Sequence, residues 1–170
     1  LSVAKKVLDA FAQHGVKPLL VFDGAAVAMK ARLNDQRRVE REAYARKAHA
    51  LLAEGKESDA RTAMSKGVRI TTQMTQQFIA LLRRRGVAFV VAPYEADAQL
   101  ARLAQEGTVD AVLSVDSDLI VFGIEKVFLK LDVRSGRCDL FERRRCLAQL
   151  RLPSLRALQI VATLSGCDYC

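Results

Sequence analysis

Phe89-Val90-Val91-Ala92-Pro93-Tyr94-Glu95-Ala96-Asp97 is the stretch on which the fold turns. A continuous apolar run of buried-strand type meets Pro93, and a helical pattern follows over Glu95–Gln105. Two carboxylates, Glu95 and Asp97, sit where the strand hands over to the helix. The same arrangement occurs on either side. Upstream, the apolar run Pro18-Leu19-Leu20-Val21-Phe22 closes on Asp23. Downstream, Asp110-Ala111-Val112-Leu113-Ser114-Val115 leads into Asp116 and Asp118. Three strands thus deliver carboxylates at or just past their C-terminal ends. In an open α/β sheet, the crevice beyond those ends is where ligands bind. Carboxylates brought that close repel one another unless divalent cations sit between them.

The flanking periodicities complete the alternation. Helical spacing appears over Ser2–Gln13, with Val3, Val7, Leu8 and Phe11 as the stripe, and over Thr71–Arg84, with Met74, Phe78, Ile79 and Leu82. Leu155–Leu164 reads as a last helix with Pro153 near its start. Val127–Leu131 and Cys138–Phe141 flank Arg134-Ser135-Gly136-Arg137 and read as a hairpin. Strands alternating with helices predict an α/β fold: a mostly parallel sheet with helices on both faces. Ala28–Glu54 contains no Pro or Gly and is expected to form one long helix, with a shorter polar helix over Glu57–Lys66. Residues 28–67 are too polar for a covering helix pair and too regular for a loop. They are expected to form a helical insertion standing off the sheet, within a single domain over 1–170.

Lysine and arginine exceed aspartate and glutamate by 27 to 19, for a net charge of +8. A basic chain that gathers its acids in one crevice suits a polyanion held by the surround and cut by metals in the middle. No apolar stretch approaches the ~20 residues of a membrane span, so no membrane partner is expected. Nothing at the N-terminus reads as a targeting segment, although Leu1 is not Met. The four cysteines, Cys138, Cys146, Cys167 and Cys170, give no disulfide framework, and only one CxxC pair is present to set against a zinc site. Neither His14 nor His49 lies beside an acidic motif. An all-oxygen donor set favours Mg²⁺, with Mn²⁺ as the substitute, over zinc or copper.

Each motif taken singly has a plainer reading. Asp116-Ser117-Asp118 can be a turn or a helix cap. Glu95 and Asp97 can complement the helix dipole, and face one site only if Glu95 precedes regular helix. Asp23-Gly24 can be a turn, and Asp168, after Leu164-Ser165-Gly166-Cys167, a loop acid. From Lys30 to Lys47 there are seven basic and three acidic residues, with Lys30, Arg37 and Arg41 on one helix face. A solvated face stabilised by pairs such as Arg38 and Glu42 would look the same. It is the joint occurrence that points to a metal-assisted phosphoryl chemistry.

Taken together, four strings are recognisable: Val21-Phe22-Asp23-Gly24, Ala92-Pro93-Tyr94-Glu95-Ala96-Asp97-Ala98-Gln99-Leu100-Ala101, Asp116-Ser117-Asp118-Leu119 and Leu164-Ser165-Gly166-Cys167-Asp168-Tyr169. In order and spacing they resemble the flap endonuclease/XPG-type structure-specific 5′ nucleases, and the second string looks most like the exonuclease 1 branch. The resemblance implies that Asp23, Glu95, Asp97, Asp116, Asp118 and Asp168 are metal-site carboxylates for two Mg²⁺ ions. It implies that Lys30 and Arg37 contact the scissile phosphate, that Arg38 and Arg41 steer the single strand, and that residues 28–67 are the family's helical arch. It further implies a 5′-to-3′ DNA exonuclease with 5′ flap endonuclease activity, acting on 5′ ends, nicks, gaps or flaps in DNA repair or recombination, in the nucleus. The family's first strand and aspartate would precede Leu1, and its helix-two-turn-helix would follow Cys170, so the chain reads as an internal piece of a nuclease core. The rival expectations are a flap or junction endonuclease of the same superfamily, a noncatalytic DNA-binding scaffold, and an RNA-cleaving nuclease of the PIN type.

Overall fold

The computed structural model describes residues 2–166. Seven helices and five strands run through them: α1 (Ser2–Gln13), β1 (Leu19–Phe22), α2 (Ala31–Ala53), α3 (Glu57–Gly67), α4 (Thr72–Arg84), β2 (Ala88–Val91), α5 (Ala96–Gln105), β3 (Val112–Leu113), β4 (Lys126–Asp132), β5 (Arg137–Glu142), α6 (Arg143–Gln149) and α7 (Leu155–Ser165). Single 3₁₀ turns precede α2 at Ala28–Lys30 and follow β3 at Asp118–Ile120. The class is α/β, as the alternation predicted. The long helix expected from Ala28 therefore begins with a tighter turn, and the strand expected over Ala111–Val115 keeps only two ladder residues.

Pairing is mostly parallel. β1 and β2 form one parallel pair, in register Leu19 with Ala88 through Phe22 with Val91. β3, β4 and β5 form a second sheet, in which β3 pairs parallel with β4 and β4 pairs antiparallel with β5. The hairpin turn is built around Asp132. Its carboxylate accepts Arg134 N–H at 3.0 Å and Ser135 O–H at 2.6 Å, and these bonds hold its pKa below the usual carboxylate value, the serine bond most of all. Within β4 a bulge lies between Leu129 and Asp132, and Lys130 there takes a left-handed φ of 53°.

By internal contacts the described residues divide into two compact units: one made of residues up to Ala25 and from Leu81 to Gly166, the other Ala26–Ala80. In the first, Ala101, Val112, Leu119, Ile124 and Val127 make the fully buried cluster, with Phe122, Leu129 and Phe141 packed around it. α1 is tied to the residues after α4 by the ion pair of Arg85 with Asp9 at 2.6 Å. α6 is anchored by Arg143, which donates to the Gly123 carbonyl and pairs with Glu125 at 2.7 Å. In the second unit α2 packs on α3 through alanines: Ala48, Ala60 and Ala63 are buried. Small side chains let two helices approach closely, and the close approach extends to Gly67 at the end of α3, where a Cβ would lie 3.1 Å from the Ala45 nitrogen.

Candidate functional site

The first group of acids lies just beyond the paired ends of β1 and β2. The ladder continues past the strands: Ala92 N–H donates to Phe22 C=O at 2.9 Å, Gly24 N–H to Tyr94 C=O at 2.6 Å and Ala25 N–H to Pro93 C=O at 3.0 Å. Asp23 is thereby carried alongside the Pro93–Glu95 connection. Its Oδ1 accepts the Ala96 N–H, the first of α5, at 2.8 Å. Helix N-termini leave such amides without intrahelical partners and carry partial positive charge, so a carboxylate is favoured there. Glu95 is the cap residue itself, in extended conformation (φ −80°, ψ 140°), and Asp97 lies in the first helical turn. The condition for Glu95 and Asp97 to share a site, that Glu95 stand before regular helix, is met. Both are half-buried, whereas Asp23 is exposed.

The second group stands after β3. Ser114 Oγ accepts Asp116 N–H at 3.1 Å, and Asp116 Oδ1 accepts Asp118 N–H at 2.9 Å. Ser117 is helical in φ and ψ (−78°, −16°), so this pair sits on a closed turn rather than on extended backbone. The turn reading of Asp116 is therefore correct as local structure, and it does not preclude a ligand role. A carboxylate has two oxygens and about four lone-pair sites, so one backbone hydrogen bond fixes its orientation and leaves most of its acceptor capacity. The next residue, Leu119, is fully buried and anchors the turn in the core.

Asp23, Glu95, Asp97, Asp116 and Asp118 offer only oxygen, which suits a hard divalent cation. Among the described residues, no three His, Cys, Asp or Glu side chains lie close enough together to hold one ion. Asp168, the sixth expected ligand, lies outside the described residues. So do Cys167 and Cys170; Cys138 and Cys146 are free thiols.

The basic residues belong to the other unit. Lys30 is the half-buried hinge between the 3₁₀ turn and α2 (φ −90°, ψ 6°). Arg37 is exposed and Arg41 half-buried on α2. Arg38 pairs with Asp35 at 3.3 Å and Glu42 at 3.2 Å, and those two carboxylates, Asp35 first, raise its pKa further. It takes part in the i, i+3 and i, i+4 ladder expected of a solvated helix face. Sequence reading missed the use of Asp23 as a cap for α5. The signal was present in Asp23-Gly24, where glycine marks a close backbone approach, but the partner of that approach lies some seventy residues away.

Residues 86–168 match the XPG I-region family. The chain is 40% identical to exonuclease 1 of Danio rerio over 99% of its own length and 21% of that protein's. It is 40% identical to exodeoxyribonuclease 1 of Schizosaccharomyces pombe over 92% of its length and 28% of that protein's. It therefore spans between a fifth and a third of these relatives. Among solved structures, the catalytic core of Rad2 in complex with DNA substrate superposes with a TM-score of 0.69 at 26% identity, covering 96% of this chain and 46% of that one. Flap endonuclease-1 from Methanococcus jannaschii gives 0.66 at 26% identity, covering 99% and 54%. With the I-region match and 40% identity to exonuclease 1 proteins over nearly its whole length, the chain belongs to the flap endonuclease/XPG family, on its exonuclease 1 branch.

Proposed function

We propose that this chain is catalytic-core sequence of a divalent-metal-dependent 5′-to-3′ DNA exonuclease with structure-specific 5′ flap endonuclease activity, working in DNA repair or recombination in the nucleus. The observation that carries the reading is the seating of Asp23, Glu95 and Asp97 around one helix start, in a chain 40% identical to exonuclease 1 proteins. In this reading Asp23, Glu95, Asp97, Asp116, Asp118 and Asp168 hold two Mg²⁺ ions, which Mn²⁺ can replace. Such ions, when bound, supply a hydroxide near neutral pH and neutralise charge on phosphate oxygens. The side chains have separate tasks. Asp23 and Asp116 keep one oxygen on a backbone N–H and present the other. Lys30 and Arg37 place positive charge on the scissile phosphate, where developing negative charge is stabilised without reorganisation. Arg38 and Arg41 guide the single strand electrostatically, and residues 28–67 form the helical arch that carries all four.

The partner is DNA with a 5′ end at a recess, nick, gap or flap. A test uses the full-length protein on duplexes labelled at either end, in Mg²⁺ and in EDTA. The expected result is Mg²⁺-dependent release from 5′ ends together with cutting at the base of 5′ flaps. Cutting restricted to flaps or four-way junctions would favour the endonuclease rival, and DNA binding without divalent-dependent cleavage would favour the scaffold.

A further inference from the structure

Gly24 has no room for a side chain. A Cβ on it would lie 1.9 Å from the Ala92 carbonyl oxygen and 2.8 Å from that of Pro93, both backbone atoms that cannot swing away. The two chain segments cross here at the closest approach their backbones allow. Three hydrogen bonds fasten the crossing: Ala92 N–H to Phe22, Gly24 N–H to Tyr94 and Ala25 N–H to Pro93. A fourth, Ala96 N–H to Asp23 Oδ1, extends it into α5. The first closes the Phe22–Val91 pair of the ladder, and the others lie beyond the strands, since β1 ends at Phe22 and β2 at Val91. Their effect is to lock the residue after one strand to the helix start after the other.

We infer that Gly24 is a positioning residue. The Gly24 crossing and the Asp23 cap on α5 form a clasp that fixes the spacing of the Asp23 carboxylate from Glu95 and Asp97. The inference rests on the proposed ligand role of those acids, and adds that their spacing is set by a residue with no side chain. The clasp also gives Asp23 two duties that can be separated chemically. Its negative charge serves a cation, whereas the bond to Ala96 needs only an acceptor oxygen, which asparagine also has.

Two variants of the full-length protein test this. In Gly24→Ala every carboxylate remains, but the crossing must open by an ångström or more, a displacement that costs about 10²-fold in rate where ligand geometry matters. The expected result is a single-turnover loss of that order with DNA affinity in Ca²⁺ unchanged. The Mn²⁺ concentration for half-maximal rate should rise as well, a shift that a merely structural lesion would not produce. Folded Gly24→Ala with wild-type rate and Mn²⁺ dependence would overturn the inference. Should that variant fail to fold, Asp23→Asn and Asp23→Ala decide through hydrogen exchange, read by mass spectrometry across Tyr94–Asp97. Asparagine should preserve the protection of the Ala96 amide and alanine should lose it. Equal protection in both variants would overturn the clasp. This readout needs no cleavage, so it stands even if the wild-type protein proves inactive and the nuclease reading itself fails.

Discussion

The strand-end acids and the basic face of α2 are placed by different physics. Each acid site is fixed by backbone: Asp23 by a four-bond crossing, Asp116 by a turn closed onto Asp118 and backed by buried Leu119. The Asp23 position depends on a partner some seventy residues away, and the Asp116 turn on bonds to Ser114 and Asp118 next to a core residue. On α2, by contrast, Ala48 is the one buried residue, and Arg38 with half its side chain in solvent finds its partners three and four residues away. In the proposed reading the first region holds the cations, while the second supplies the Lys30 and Arg37 charges at the scissile phosphate and the looser guidance of Arg38 and Arg41.

Substitutions can break or sharpen that contrast. The largest effect is expected from Asp116→Ala or Asp118→Ala in the full-length protein. Mg²⁺-dependent cleavage should disappear while affinity for DNA in Ca²⁺ is largely kept, because these side chains serve the reaction rather than binding. A rate within about tenfold of wild type would remove them from the metal site. Next in size, Lys30→Ala and Arg37→Ala should each slow single-turnover cleavage by about 10²-fold, typical of losing a donor to transition-state charge. If both instead weaken binding in step with rate and cleave normally at saturation, they are ordinary members of a basic surface.

Smaller effects probe how α2 is held. Ala60→Leu inserts bulk where Ala60 is fully buried between α2 and α3, and should cost about 1–3 kcal/mol of local stability, seen as faster amide exchange in both helices. Exchange in α5 should not change. Arg38→Ala is expected to do least. It removes two exposed ion pairs of the kind worth under about 1 kcal/mol, so thermal stability should barely move. Any loss of DNA affinity should shrink as salt rises.

Much of this was legible in the sequence where apolar runs and helical stripes are long. β1, β2, α1, α4, α5 and α7 fall within a residue or two of their expected spans, and the β4–β5 hairpin flanks the Arg134–Arg137 turn. β3 was overestimated because Ala111–Val115 is apolar but for Ser114, yet Val115 is almost fully exposed and the ladder stops at Leu113. α6 was missed since seven residues beginning Arg143-Arg144-Arg145 carry too few apolar positions to show a period; the anchor is tertiary, through Gly123 and Glu125. The acids themselves could be read from their places after strands. Their hydrogen bonds could not, because the Asp23 cap and the Gly24 crossing depend on which strand lies beside which, and pairing is a property of the folded chain.

The central claim, that the strand-end carboxylates hold the divalent cations, is tested most directly by Mn²⁺ binding to the full-length protein without DNA, followed by calorimetry in wild type and in Asp23→Ala, Asp116→Ala and Asp118→Ala. Loss of a ligand should weaken binding on the order of tenfold or more in each variant, with the fold retained. Unchanged Mn²⁺ affinity in all three folded variants would contradict the account and leave these acids as caps and turns alone.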